Sequence, residues 1–306
     1  MKQIDILAIG EPLIEMIRRD GVTHGPATYT SDVGGDVLNA LVAAARQGAS
    51  TGLISAVGDD PFGQHIKAFC ATEGIDTSML RVSPEHSTGL CFIDPDPSDR
   101  NFTYVRRGSA ASSYGADALQ HDMIAKAQAL HVTGVSQAIG CTMRRAVRVA
   151  AEIAKANGTL VSYDLNLRLK LWPLEEARGC IDDFLPFADI VLPSEDEAKL
   201  LLGSDTIDAI LDYFAQHDAE IIVLKRAERG VIVRTASKQV SIEAPTVKAV
   251  DSSGAGDSFA GAFLAYLLET NDPIEAARRA VRVAAITVTG HGATPAIPRR
   301  ESIVSA

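Results

Sequence analysis

The run Asp251-Ser252-Ser253-Gly254-Ala255-Gly256-Asp257-Ser258-Phe259, followed by the helical pattern Ala260–Leu268, decides the reading of this chain. Phe259, Phe263, Leu264 and Leu267 give that helix an apolar stripe. Two glycines ahead of a helix let several backbone N–H groups converge on one spot, with the helix dipole behind them. Gly254, Ala255 and Gly256 thus form a candidate anion hole, and the small residues at 252–256 let a phosphate approach closely. Asp257 stands at its mouth, where a carboxylate can accept the proton of an attacking hydroxyl. The run lacks GK[ST] and is not a Walker-type phosphate loop. Taken alone, it could equally be a tight turn with Asp257 as an N-terminal helix charge.

Upstream, Ile4-Asp5-Ile6-Leu7-Ala8-Ile9-Gly10 reads as a buried strand ending in a glycine turn. Similar apolar runs recur at Thr51–Ala56, Ala129–Val132, Leu160–Tyr163, Ile190–Leu192 and Ile221–Leu224. Helical patterns lie between them. Val37–Gln47 places Leu38, Leu41, Val42 and Ala45 on one face and stops at Gly48, and Met143–Asn157 is closed by Gly158. The alternation predicts an α/β fold with a central, mostly parallel sheet flanked by helices. Residues 11–32 and 87–108 break the rhythm. In the second segment, Thr88–Ile93 and Asn101–Arg106 are alternating runs separated by the turn-rich Asp94–Asp99. Both segments are expected to form a small β-sheet lid, or alternatively edge strands of the main sheet. The α/β body would then cover about 1–10, 33–86 and 109–306 of a single domain spanning 1–306.

The 306 residues are 46% hydrophobic and 22% charged, enough for a large core. The 29 basic and 39 acidic residues give a net charge of −10, which excludes a global basic footprint for nucleic acid. An anionic substrate would be met by local cations and backbone N–H groups against the overall field. Cys70, Cys91, Cys141 and Cys180 are widely spaced, so a reduced, cytoplasmic setting and buried packing are expected. The Ile4–Ile9 run, cut off by Glu11 and Pro12, is too short for a signal peptide, and no 18-residue apolar stretch predicts a membrane span. His65, His86, His121, His131, His217 and His291 show no metal-ligand spacing.

A second glycine–helix junction precedes the first. Gly34-Gly35-Asp36-Val37-Leu38-Asn39-Ala40 puts two glycines at a helix start and an asparagine one turn in, on the same side as Gly35, where its amide could hold a sugar hydroxyl. Together with the Gly254–Asp257 string, this resembles the paired signatures of the ribokinase-like (PfkB) family of carbohydrate kinases. The usual family form has Thr where this chain has Ser252. Ala56-Val57-Gly58-Asp59-Asp60-Pro61-Phe62-Gly63 and Pro298 extend the resemblance over essentially the whole chain.

The resemblance implies a ribokinase-like fold and in-line transfer of the γ-phosphoryl group of ATP, with Mg²⁺, to an acceptor hydroxyl. Asp257 would be the base and Gly34, Gly35 and Asn39 would contact the acceptor. Tyr104–Ser112 and the Tyr163–Trp172 run, which carries D-x-N-x-R-x-x-L-W from Asp164, resemble 2-keto-3-deoxygluconate kinases. A sugar acid needs a placed cation, and Arg106 and Arg168, with Tyr104, are the candidates. Asn166 and Arg168 would lie near the γ-phosphate, and Lys225 and Gly230 near the phosphates and ribose. Ser194 and Glu197 stand at the family's N-x-x-E motif, with Ser replacing Asn, and Glu197 would act on Mg²⁺ through water. Ser194 also reads as a helix N-cap with Glu197 completing a capping box. Asp251 and Ser253 match positions that hold a monovalent cation, such as K⁺, in some members, and Ala284–Gly292 would border adenine. Alternatives are a fructokinase, ribokinase or other neutral-sugar or nucleoside kinase of the family, and a non-catalytic sugar-sensing homologue. Exposed lid strands predict a homo-oligomer.

Overall fold

The computed structural model describes residues 4–19, 27–94 and 101–304. Its strands are β1 (Ile4–Ile9), β2 (Leu13–Arg18), β3 (Tyr29–Gly34), β4 (Thr51–Gly58), β5 (Ile75–Asp76), β6 (Leu80–Ser83) and β7 (Leu90–Asp94). They continue as β8 (Asn101–Val105), β9 (Ala127–Thr133), β10 (Leu160–Asp164), β11 (Ile190–Val191), β12 (Ile221–Lys225), β13 (Val231–Thr235) and β14 (Gln239–Ile242). The helices are α1 (Asp36–Arg46), α2 (Pro61–Glu73), α3 (His121–Lys126), α4 (Gly134–Ala138), α5 (Cys141–Ala156) and α6 (Leu174–Phe184). After them come α7 (Glu195–Leu202), α8 (Ile207–Ala215), α9 (Ala255–Thr270), α10 (Pro273–Thr287) and α11 (Arg300–Val304).

The main sheet runs β14-β13-β12-β11-β10-β9-β1-β4-β5, with β6 also paired to β4. Every pairing from β12 to β5 is parallel, and β13 and β14 add an antiparallel edge. Both faces are covered. Along β1, Leu7 and Ile9 pack into the core under α5, whereas Ile6 and Ala8 face the core under α1, α9 and α10. This period-two division of an all-apolar strand is what a sheet buried on both sides demands. The expected alternation of β and α elements is thus realised as the ribokinase-like fold.

A second sheet, ordered β3-β2-β7-β8, stands apart from the first. The hairpin read at 87–108 is the antiparallel β7–β8 pair, with Leu90 opposite Val105. Residues 20–26 of the expected lid and the Pro95–Asp99 turn lie outside the described residues.

Three local readings are corrected. Helix α9 begins at Ala255, not Ala260, so Asp257 is inside its first turn. Its apolar residues are not a stripe: Ser258 to Leu267 are all buried, because α9 lies between α1 and α10. The cysteines also divide. Cys70 and Cys91 are buried, and that burial pushes both thiols up to about 12, but Cys141 is exposed and Cys180 partly so.

Candidate active site

The carboxyl ends of β10 and β12, Val135 just after β9, and the N-termini of α1 and α9 open into one cavity of about 1420 Å³, roofed by the small sheet. Ligands of parallel sheets bind at this end, where helix N-termini converge. Pockets for a single small ligand run to roughly 300–1,000 Å³, so this cavity has room for two substrates.

Asp257 lies on its floor. Gly254 caps α9 in the left-handed region, at φ 70°, where a side chain would be strained, and a Cβ there would meet that of Ala293 at 2.8 Å. The Ala255 N–H turns back to the Ser252 carbonyl at 3.3 Å. Among the described residues the N–H groups of Gly256 and Asp257 have no protein acceptor, as expected at a helix start that receives an anion. The Lys225 Nζ stands 3.5 Å from where a Gly256 Cβ would be, which sets a cation beside those amides. Lys225 is in turn held by Asp164 Oδ2 at 2.5 Å.

Both oxygens of Asp257 are oriented. Asn39 Nδ2 donates to Oδ2 at 2.9 Å and Asn166 Nδ2 donates to Oδ1 at 3.2 Å. Asn166 adopts φ 36°, a conformation asparagine tolerates better than most residues, and its N–H bonds Asp164 Oδ1 at 3.2 Å. Asp257 is only partly shielded from water in the open cavity, but protein surrounds it at longer range. Burial, then the Asp36 charge, with Asp164 adding to it, raise its carboxyl to about 7, against the lowering by the Asn39 hydrogen bond. A carboxylate poised near neutrality suits a general base.

The sequence-derived residues fall into place unevenly. Gly35, Asn39, Tyr104, Arg106, Asn166 and Arg168 all line the cavity. Gly34, at the end of β3, does not. The Asn39 amide nitrogen, expected on a sugar hydroxyl, is directed to Asp257, and its buried Oδ1 has no partner. Arg106, expected to offer a whole fork, is buried at 7% exposure with Nε bonded to Glu11 Oε2 at 2.5 Å. Its buried Nη2 has no partner, so one edge of the guanidinium remains for a ligand. The Tyr104 ring lies 5.3 Å from the Arg106 guanidinium carbon. Arg168 Nη1 bonds the Leu167 carbonyl at 3.1 Å and Glu197 Oε1 at 3.3 Å.

On the nucleotide side, Ser194, Glu197, Lys225 and Gly230 line the same cavity, and a bridge joins Ser194 to Lys225. Ser194 and Glu197 form the capping box of α7, and Glu197 Oε1 also accepts the Leu167 N–H at 3.1 Å. A carboxylate so engaged fits an outer-sphere role toward Mg²⁺, which keeps several of its waters. Ala284, Ala285 and Val288 give the far lobe an apolar wall. Asp251 is outside the cavity lining and ties two loops together, accepting the N–H groups of Ser253 at 2.7 Å and Gly292 at 3.0 Å. Ser253 does line it.

Four carboxylates to which the sequence attached no role stand in or beside the site: Glu11, Asp36, Asp164 and Glu195. Three follow strand ends or open α1, a position that could have flagged them. Glu195 is shielded by cation stems rather than by depth. Burial pushes it up, but hydrogen bonds from Lys199, Arg226 and Arg229 outweigh that and hold it at about 2.

A carboxylate facing helix-end amides and a lysine suits transfer of a phosphoryl group to a hydroxyl, the work of a small-molecule kinase. The chain belongs to the pfkB family of carbohydrate kinases, whose pattern matches residues 3–300, and it is accordingly a phosphotransferase with a hydroxyl acceptor. It is 34% identical over 304 residues to a 2-dehydro-3-deoxygluconokinase of Thermoproteus tenax, covering 96% of this chain and 91% of that one. It is 31% identical to Fructokinase-2 of Solanum lycopersicum, covering 96% and 93%. Its fold superposes with a TM-score of 0.88, at 26% identity and over 100% and 99% of the two chains, on a fructokinase double mutant from Vibrio cholerae O395 solved with fructose, ADP and potassium.

Proposed function

We propose that this kinase transfers the γ-phosphoryl group of ATP to the terminal hydroxyl of a sugar acid, with 2-keto-3-deoxygluconate the acceptor that fits best. The observation that carries this reading is Arg106: a buried cation beside the acceptor end of the cavity with an unpartnered Nη2. A buried donor without a partner calls for one, and a carboxylate answers it with a charge-assisted bond. Asn39 Oδ1 and Asn166 Oδ1, likewise buried without partners, are acceptors for hydroxyls. Asp257 would take the proton of the attacking hydroxyl, while the Gly256 and Asp257 amides and Lys225 hold the transferring phosphoryl group. Mg²⁺, when bound, neutralises phosphate charge, and Glu197 is the residue that would hold its waters. We read Ser253 and Asp251 as the neighbourhood of a monovalent cation, and the small sheet as a lid that excludes water during transfer. ATP as phosphoryl donor also accords with a cytoplasmic enzyme.

Kinetics of Arg106→Ala test the reading. KM for the sugar acid is expected to rise by about 10- to 100-fold, the usual worth of a charge-assisted hydrogen bond, with KM for ATP unchanged. Equal effects on both substrates would contradict it. One observation favours a neutral sugar instead: Glu11 already balances the Arg106 charge. Under that reading Arg106→Ala weakens fructose and sugar acids alike.

A further inference from the structure

Among the described residues the chain passes between the α/β body and the small sheet four times: from β1 into β2, from β3 into α1, from the body into β7, and from β8 back. Glu11 stands where all four passes meet. It belongs to the first, between β1 and β2. At the second, a Cβ on Gly35 would collide with the Glu11 carbonyl oxygen, and Gly35 sits at φ 114°, where a side chain is strained. At the third, a Cβ on Gly89 would lie 2.5 Å from Glu11 Oε1. At the fourth, Arg106 Nε donates to Glu11 Oε2 at 2.5 Å and the Ser109 hydroxyl donates to Oε1. The passes are also laced to each other. The Ile14 N–H donates to the Gly89 carbonyl at 3.1 Å, and the Ala110 N–H to the Ser87 carbonyl at 2.9 Å.

Glu11 is 1% exposed and does not line the cavity, which leaves it no direct contact with a substrate. A buried ion pair adds little net stability over an apolar pair of the same volume, so its value lies in the geometry that it fixes. Here that geometry is the set of Arg106, whose Nε is taken by Glu11 while its buried Nη2 has no partner among the described residues. We propose that Glu11 is a positioning residue, the joint through which the body holds the small sheet, and Arg106 with it, over the cavity. Its two carboxylate oxygens engage two residues of the fourth pass, and one of them also packs on the third. The set of β7 and β8 therefore depends on one side chain. The inference rests on the proposed placement of the acceptor beside Arg106 and not on that acceptor being an acid.

Amide hydrogen exchange and acceptor kinetics of Glu11→Gln test this, with Arg106→Ala alongside. Glu11→Gln keeps the size of the side chain and one acceptor oxygen. Ser109→Ala, which unpairs no charge, is the second probe should the first fold poorly. Exchange should quicken about tenfold or more in β2, β7 and β8 and stay within about twofold in β1, β9 and β10, as expected of a sheet released locally. KM for the acceptor should rise by about tenfold or more, with KM for ATP held. Exchange that stays unchanged, or that quickens in both sheets together, would overturn the proposal, since Glu11 would then hold no joint of its own. An acceptor KM raised by Arg106→Ala but not by Glu11→Gln would overturn it too. Selective exchange with the acceptor KM unmoved by either variant would uphold the joint and instead remove the acceptor from Arg106. A KM raised equally for a sugar acid and a neutral sugar upholds the joint while the sugar-acid reading fails.

Discussion

At Asp257 two opposing influences set one proton equilibrium. Burial and neighbouring carboxylates favour the protonated form, and the Asn39 amide favours the charged one. With Asp257 as the proposed base, activity needs the charged form, so kcat/KM should climb with pH through an acidic limb near 7, the level to which Asp257 is raised. Asn39→Ala removes a bond that lowers that level, and a pH–rate profile should show the limb displaced upward together with a lower kcat. Stability runs the other way. A carboxyl raised from 3.8 to about 7 on folding binds more protons folded than unfolded, so it weakens the fold as pH rises between those values. Asp257→Asn should consequently gain stability over the wild type at pH 8 and lose that advantage below about pH 4, as denaturant titrations would show. Asp257 was legible because its glycine turn is local. Glu11, Asp36 and Asp164 were not, since their meaning comes from Arg106, Thr133 and Lys225, which lie far off along the chain.

Helix α9 shows what an element adds. A Cβ on Gly261 would stand 1.8 Å from the Ala40 carbonyl oxygen of α1, so the two helices touch backbone to backbone there. Gly261→Ala should force them apart and cost about 1–3 kcal/mol by overpacking, read as a lowered denaturation midpoint. The apolar runs announced β1, β4, β9, β10 and β12 because strands buried on both faces are apolar throughout. The start of α9 was missed since Ala255, Gly256 and Asp257 carry no apolar periodicity, and the two-residue strand β5 is too short to show any. At α7, Glu195 is held low by three cations, and its contribution to stability is complete above its usual 4.5. It should drain away as pH falls from there toward 2, and Glu195→Gln should flatten that part of the acid-unfolding curve.

The whole molecule sets a small sheet over a large one, and the small sheet ends in the edge strands β3 and β8. An uncovered edge seeks a partner strand, and Val105, at the end of β8, is 54% exposed. Pairing of two copies through these edges predicts a dimer by analytical ultracentrifugation that Val105→Lys weakens. Among the described residues no helix is long and apolar enough to cross a membrane. The family and the fold were readable from two glycine–helix junctions, whereas the acceptor, under the proposed reading, depends on Arg106, which directly follows β8 and lines the cavity. Initial-rate measurements with ATP against 2-keto-3-deoxygluconate, fructose and ribose test that most directly. The proposed sugar-acid reading predicts a kcat/KM for the sugar acid at least about tenfold above either neutral sugar, the least that one charge-assisted hydrogen bond supplies. A higher kcat/KM for fructose or ribose would contradict it.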